Sequence, residues 1–214
     1  MQIAIEIIIT AMLLAASYFY LKLNNKDEKY KCDKKLIIYH IIMLLVLSGI
    51  VVQLNLVYVN NSMVHNTKLM ILLSCLVPLG WKDYFEYKIP NVVILFMLSA
   101  RVVTMIWELI VLKKLFLVEF KDCFIAFAFI GIFLILVHII FKNSIGMGDI
   151  KLMMMMALYQ GFYGVFSSIF FSMISVCILA IILMIAKKKK RKDSLPFAPA
   201  VLFGTCISVF MSGI

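Results

Sequence analysis

The chain has 214 residues, 64% of them hydrophobic and only 15% charged, with a mean hydropathy of +1.07. An ordinary soluble domain carries roughly 45–50% apolar and about 25% charged residues, so this chain has too little polar surface to cover a water-soluble globule. Its net charge of +10 would by itself suggest nucleic acid, but no soluble stretch is long enough to present such a face, and nucleic acid is not expected as a partner.

A helix needs about 20 mostly apolar residues to span a bilayer. Apolar runs fall at about 3–22, 37–58, 67–82, 91–112, 122–141, 149–163, 165–186 and 197–213. The first lacks the basic start of a secretory signal and is longer than a signal core, so it reads as a retained transmembrane helix. The sixth is short: its rise of about 22 Å falls below the ~30 Å hydrocarbon core. The expected fold is an all-α polytopic membrane protein, a bundle of about eight transmembrane helices embedded in lipid. Cys75, Cys123, Cys177 and Cys206 sit inside apolar runs as small hydrophobes. With Cys32 they form no CxxC pair, so no structural zinc is expected.

The placement of the basic residues gives orientation. One cluster, Lys22 to Lys35, follows the first run, and a second, Lys187 to Lys192, follows the seventh. Basic loops face the cytoplasm. Six spans separate the two clusters, so both lie on one side. Sixteen of the 21 basic residues then face inward, among them Lys82, Lys88, Lys142 and Lys151. Lys68, Lys113, Lys114 and Lys121 fall outside, Arg101 lies within the fourth helix, and both termini are external.

Carboxylates near a bilayer are costly and therefore functional candidates. Glu6, Glu108 and Asp122 fall to the external side and read as solvated interfacial groups. Asp83 and Asp149 fall to the cytoplasmic side with distinctive neighbours. Asp83 ends the third helix, and Ile89-Pro90-Asn91 starts the fourth, with Pro90 suited to a first helical turn. Asp149 follows Gly146 and Gly148 at the start of the sixth run, where the helix dipole favours a negative charge. Two carboxylates sharing a site do not both ionise readily. The ionised one can take a proton from water while the protonated one polarises a peptide carbonyl, which hydrolyses a peptide without metal or covalent intermediate. No Ser/His pair is evident: His40 and His138 fall within the second and fifth helices and His65 near the third, all far from any nucleophile motif.

Gly146-Met147-Gly148-Asp149-Ile150-Lys151 resembles the GxGDxK motif of type 4 prepilin peptidases, membrane aspartyl proteases of the GxGD type. Asp83 with Ile89-Pro90-Asn91 resembles their D-x5-IPN motif, and Leu195-Pro196-Phe197-Ala198-Pro199-Ala200 their late PFxP segment. The resemblance covers about residues 67–214, a six-helix catalytic core, with residues 1–66 as two preceding helices and a short basic loop. It implies Asp83 and Asp149 as the catalytic pair. The implied substrate is a prepilin or pseudopilin whose basic leader is cut at the cytoplasmic face of the cell membrane, typically after Gly. Many members carry a zinc domain with two CxxC pairs between the first two helices and also methylate the product with S-adenosylmethionine. Here that segment is only about residues 23–36. The expectation is therefore no cofactor or metal for proteolysis, with S-adenosylmethionine only if methylation is retained. Oligomeric state is left open.

Around the pair, Gly146 and Gly148 are expected to shape the substrate approach, and Pro196 and Pro199 to keep the start of the last helix open to an extended substrate. Lys151 lies about 200° around the helix from Asp149, so it is expected to reach the interface rather than pair with it. Glu86 either meets basic leader residues or is a solvated turn residue, and Met153–Met156 is adaptable packing. Two alternatives are a presenilin-like GxGD protease and an ion- or proton-coupled transporter. The first has YD and PAL motifs where this chain has Lys82-Asp83 and Pro199-Ala200-Val201. The second is associated with repeats and broken helices at the membrane centre, and no repeat is visible.

Overall fold

The computed structural model describes residues 2–24, 33–113, 115–141, 145–185 and 195–214, excluding the side chains at 33 and 183. They form seven helices: α1 (Gln2–Asn24), α2 (Asp33–Val57), α3 (Met63–Glu86), α4 (Asn91–Leu112), α5 (Phe116–Ile140), α6 (Met147–Ile185) and α7 (Ala198–Ser212). No strand occurs among the described residues. Six of the helices are long and apolar enough to cross a membrane, and α7 is a shorter apolar helix. This is a polytopic helical membrane protein. Hydrocarbon offers no partner to a free N–H or C=O, and helices satisfy these groups within their own segment.

The helices differ in how they meet their surroundings. α3 is buried on nearly every side, whereas α1, α2, α4, α5 and α6 each leave an apolar face exposed. The helix whose last turn carries Asp83 is thus the axis of the bundle. One continuous core runs from Leu14 of α1 through Leu72 and Leu76 of α3 to Met156 of α6 and Val209 of α7.

The sixth and seventh apolar runs join as one element, α6, of 39 residues. Straight, it would reach about 58 Å, nearly twice the hydrocarbon core. It is broken at Gly161, whose φ of 68° and ψ of −168° suit a residue without Cβ. The neighbours on either side show that the chain turns back there. Before the break, Met154 lies against Gly131. After it, Phe162 and Phe166 both pack on Phe129, Ser167 meets Ser208, and Ser172 meets Gly204. Residues 147–160 therefore run from the Asp149 end of the bundle to the far end, and 162–185 return.

The far end also gathers the outer ends of α1, α2 and α7: Asn55 donates to Glu6 at 2.7 Å, and Asn61 to the Gly213 carbonyl at 2.9 Å. Several of the residues that gave the orientation lie outside the described residues: Lys26, Lys29, Lys31, Lys114, Lys142 and 187–192, together with Cys32.

Two sequence expectations are corrected. Glu6 and Glu108 are not solvated at an interface but 1% exposed. Asp122 accepts the Phe162 N–H at 3.0 Å. Position along an apolar helix gives depth, but which face a side chain takes decides whether it meets water or protein. A Ser/His pair also exists: Ser17 Oγ lies 3.0 Å from His40 Nε2 between α1 and α2. His40 gives its Nδ1–H to the Leu36 carbonyl (2.9 Å), and Ser17 also reaches the Leu14 carbonyl (2.8 Å). The ring is thus oriented by a helix carbonyl, not by a carboxylate, and joins two helices.

The close approach of α6 and α7 gives a test. A Cβ on Gly204 would fall on the backbone of Ser172. Gly204→Ala is expected to push the helices apart at a cost of about 1–3 kcal/mol, typical of overpacking, read as a lower thermal unfolding midpoint in detergent.

Candidate active site

The end of the bundle opposite the chain ends collects the residues singled out in the sequence. Asp83 lies in the last turn of α3 and is 6% exposed. Its neighbour Lys82 pairs with Glu86 at 3.8 Å and lies over the Tyr20 ring. Glu86 is therefore partnered within its own helix. The helix ends because Tyr87 takes a left-handed conformation (φ 53°), its N–H returning to the Asp83 carbonyl. The turn then passes through Ile89 and Pro90 into α4, with Pro90 at the cap position.

The Asp83 carboxylate points at the start of α7. Its Oδ2 accepts the Ala198 N–H at 2.8 Å, and the Phe197 N–H also donates to it. The first N–H groups of a helix have no partner within it, and their positive dipole end favours an anion. Pro196 and Pro199 carry no N–H of their own and flank this pair of donors. The start of α7 was expected to be open to substrate. At Phe197 and Ala198 it is occupied by Asp83.

Asp149 lies in the first turn of α6, partly buried. The Gly146 N–H donates to its carboxylate, and the Gly146 carbonyl accepts the Ile150 N–H at 3.2 Å. This is one half of a capping box, the third helical residue reaching back to the cap N–H; Gly146 has no side chain to return the bond. A Cβ on Gly146 would stand 3.0 Å from Asp149 Oδ2, and one on Gly148 would stand 3.0 Å from the Ile89 Cβ. The first glycine leaves room for the carboxylate. The second lets the α6 start seat against the Ile89-Pro90-Asn91 turn. His138 of α5 fixes the approach to this turn by donating Nδ1–H to the Ile145 carbonyl at 2.8 Å.

Lys151, exposed, donates to Asn91 Oδ1 at 3.2 Å. It does not pair with Asp149, as its helical spacing predicts, but ties the GxGD helix to the first turn of α4. The fold thus brings Asp83 and Asp149, 66 positions apart, close enough for the Asp83 charge to act on Asp149. Among the described residues no three His, Cys, Asp or Glu side chains converge as a metal site would need.

A model of the type IV leader peptidase family matches residues 70–184. That is more than half of the chain, from α3 into α6, and it takes in Asp83, Ile89-Pro90-Asn91 and the Gly146–Lys151 segment. The chain belongs to the type IV leader peptidase family. Neither the curated proteins nor the solved structures contain a match. Membership makes the chain a peptidase in general terms and agrees with the resemblance read from its motifs. The α7 segment that holds Asp83 lies beyond the matched residues, and sequence alone gave no sign that its backbone, rather than its side chains, meets the aspartate.

The seat of Gly148 against Ile89 yields a check on this geometry. Gly148→Ala is expected to displace the α6 start and cost about 1–3 kcal/mol. The readouts are the thermal midpoint and faster hydrogen exchange at Ile150 and Lys151.

Proposed function

We propose that this protein is a membrane aspartyl endopeptidase. It cuts the basic leader of a type IV prepilin or prepilin-like protein at the cytoplasmic boundary of the cell membrane. The observation that carries the reading is the meeting of Asp83 and Asp149 at one end of the bundle, in a chain of the leader peptidase family.

The two carboxylates have unequal surroundings, which suits unequal roles. Two backbone N–H groups converge on Asp83 and one on Asp149. We assign the base role to Asp83, whose carboxylate is held by the Ala198 N–H at 2.8 Å, and the acid role to Asp149. In this mechanism Asp83 takes a proton from water as that water attacks the scissile carbonyl. Asp149 hydrogen-bonds the carbonyl oxygen and gives it the proton as the tetrahedral centre forms. Asp83 then gives its proton to the departing amine as the C–N bond breaks, and Asp149 takes a proton back from a hydroxyl of the tetrahedral centre as the new carboxyl group forms, which restores the pair. No metal or organic cofactor enters these steps. Lys151 and Asn91 hold the α6 start in register with the turn after α3, and Gly146 keeps the Asp149 carboxylate uncrowded. The basic loops supply the cytoplasmic orientation.

Co-expression with a tagged prepilin tests this. Asp83→Asn and Asp149→Asn are each expected to lower processing by about 10²–10⁴-fold, the span for loss of a positioned acid or base, with unchanged protein levels in the membrane. Full processing by either variant would sink the assignment. The wild-type rate should be bell-shaped in pH, reporting the pair as a unit.

A further inference from the structure

The far end of the bundle holds charges that the proposed chemistry does not use. Arg101 of α4 is 0% exposed. Its Nη1 donates to Glu108 Oε1 at 2.9 Å and to Thr104 Oγ1 at 3.1 Å, and its guanidinium lies 5.8 Å from the centre of the Tyr159 ring. The same Glu108 oxygen lies 3.3 Å from Lys68 Nζ of α3, and Lys68 also reaches Glu119 of α5 at 3.2 Å. Two cations and two anions thus balance, with Lys68, Arg101 and Glu108 buried and Glu119 at the partly exposed edge; an unpaired ion at the buried positions is very costly.

The remaining guanidinium contact gives the cluster a direction. Arg101 Nε donates to the Leu158 carbonyl of α6 at 2.7 Å. In an unbroken helix that carbonyl would accept the N–H of Phe162, four residues on. The break at Gly161 separates the two, and each is satisfied by a charged side chain instead: Leu158 by Arg101, and the Phe162 N–H by Asp122 at 3.0 Å. Arg101 also places a positive charge at the C-terminal end of a helical segment, where the dipole favours it. That segment is the one whose other end bears Asp149.

We propose that Lys68, Glu108 and Arg101 are positioning residues. The chain Lys68–Glu108–Arg101–Leu158 carbonyl links α3, whose last turn carries Asp83, to the segment of α6 whose first turn carries Asp149, and sets the axial register in which the two carboxylates meet. Lys68 stands about 22 Å along α3 from Asp83, and Leu158 about 13 Å along α6 from Asp149, at 1.5 Å per residue. Helices are stiff over these lengths, so a slide at one end appears at the other, and a misplacement of about 1 Å at reacting groups can cost about 100-fold in rate.

The inference rests on the peptidase reading for its consequence but not for its measurement. Cysteines introduced at Tyr84 and Met147, both more than half exposed and adjoining the two aspartates in sequence, report the register through the rate of intramolecular cross-linking by a short bismaleimide. Cys32 and Cys177 are replaced by serine in this background. Arg101→Lys keeps the charge but not the fork that holds two partners. Lys68→Met removes the α3 end and leaves Arg101 paired with Glu108. Both are assayed as protein that elutes as a single folded species in detergent, so that if one variant fails to fold the other decides.

The expected result is a change in cross-linking rate and a fall in kcat on a tagged prepilin of about tenfold or more, with KM within about a factor of two, the pattern of lost alignment at the reacting groups. Parent-like cross-linking in the folded variant overturns the proposal, whatever the activity. Altered cross-linking with kcat unchanged overturns the catalytic consequence. Altered cross-linking in a protein whose parent cuts no prepilin supports the register and refutes the peptidase reading, so the two failures are distinct.

Discussion

The bond from the Ala198 N–H to the Asp83 carboxylate joins two needs that neither group can meet alone. A helix that starts inside a bundle has N–H groups without partners, and a buried carboxylate has no water. α7 is only 15 residues long, and its start is fixed by an anion that belongs to another helix. Because α3 is the buried axis, fixing α7 on Asp83 fixes it against the whole core. Asp149 is held differently, by the Gly146 N–H of its own turn. One aspartate is anchored by the fold and the other by its local loop, and the site lies where these two kinds of support meet.

The polar groups divide the bundle into two ends with different tasks. At the aspartate end, Lys151, Asn91, Glu86 and Tyr84 are exposed, and Asp149 is only partly buried. A peptide and a water can approach such a surface. At the far end, Arg101, Glu108 and Lys68 are closed in and mutually satisfied. Exposed pairs of this kind contribute little to stability, whereas breaking a buried one costs about 3–5 kcal/mol. Rigidity therefore belongs to the far end and access to the near end, with α3, α4 and the first part of α6 running between them.

Much of this was legible in the sequence because lipid imposes simple rules. Apolar runs of spanning length gave the helices, and the short sixth run already signalled something other than a simple span. Gly146, Gly148 and Asp149 were legible because their spacing is local. Pro90 before Asn91 marked the start of α4 for the same reason. What was not legible depends on which face of a helix meets which neighbour. Glu6 and Glu108 looked like interfacial charges, because a sequence shows depth and not azimuth. Ser17 and His40 are 23 positions apart on different helices, and no motif links them. The donors to Asp83 are backbone N–H groups, to which side-chain identities contribute only indirectly, through the prolines that flank them.

The break at Gly161 shows how these levels combine. A glycine in an apolar run is unremarkable by composition, and only its positive φ reveals the turn. Once the turn is made, a carbonyl and an N–H lose each other inside a low-dielectric bundle, and each requires a replacement. Arg101 and Asp122 supply these replacements from α4 and α5. An arginine in the middle of an apolar helix therefore follows from the reversal of α6. That reversal also lets the segment bearing Asp149 be shorter than the membrane while its ends remain fully bonded.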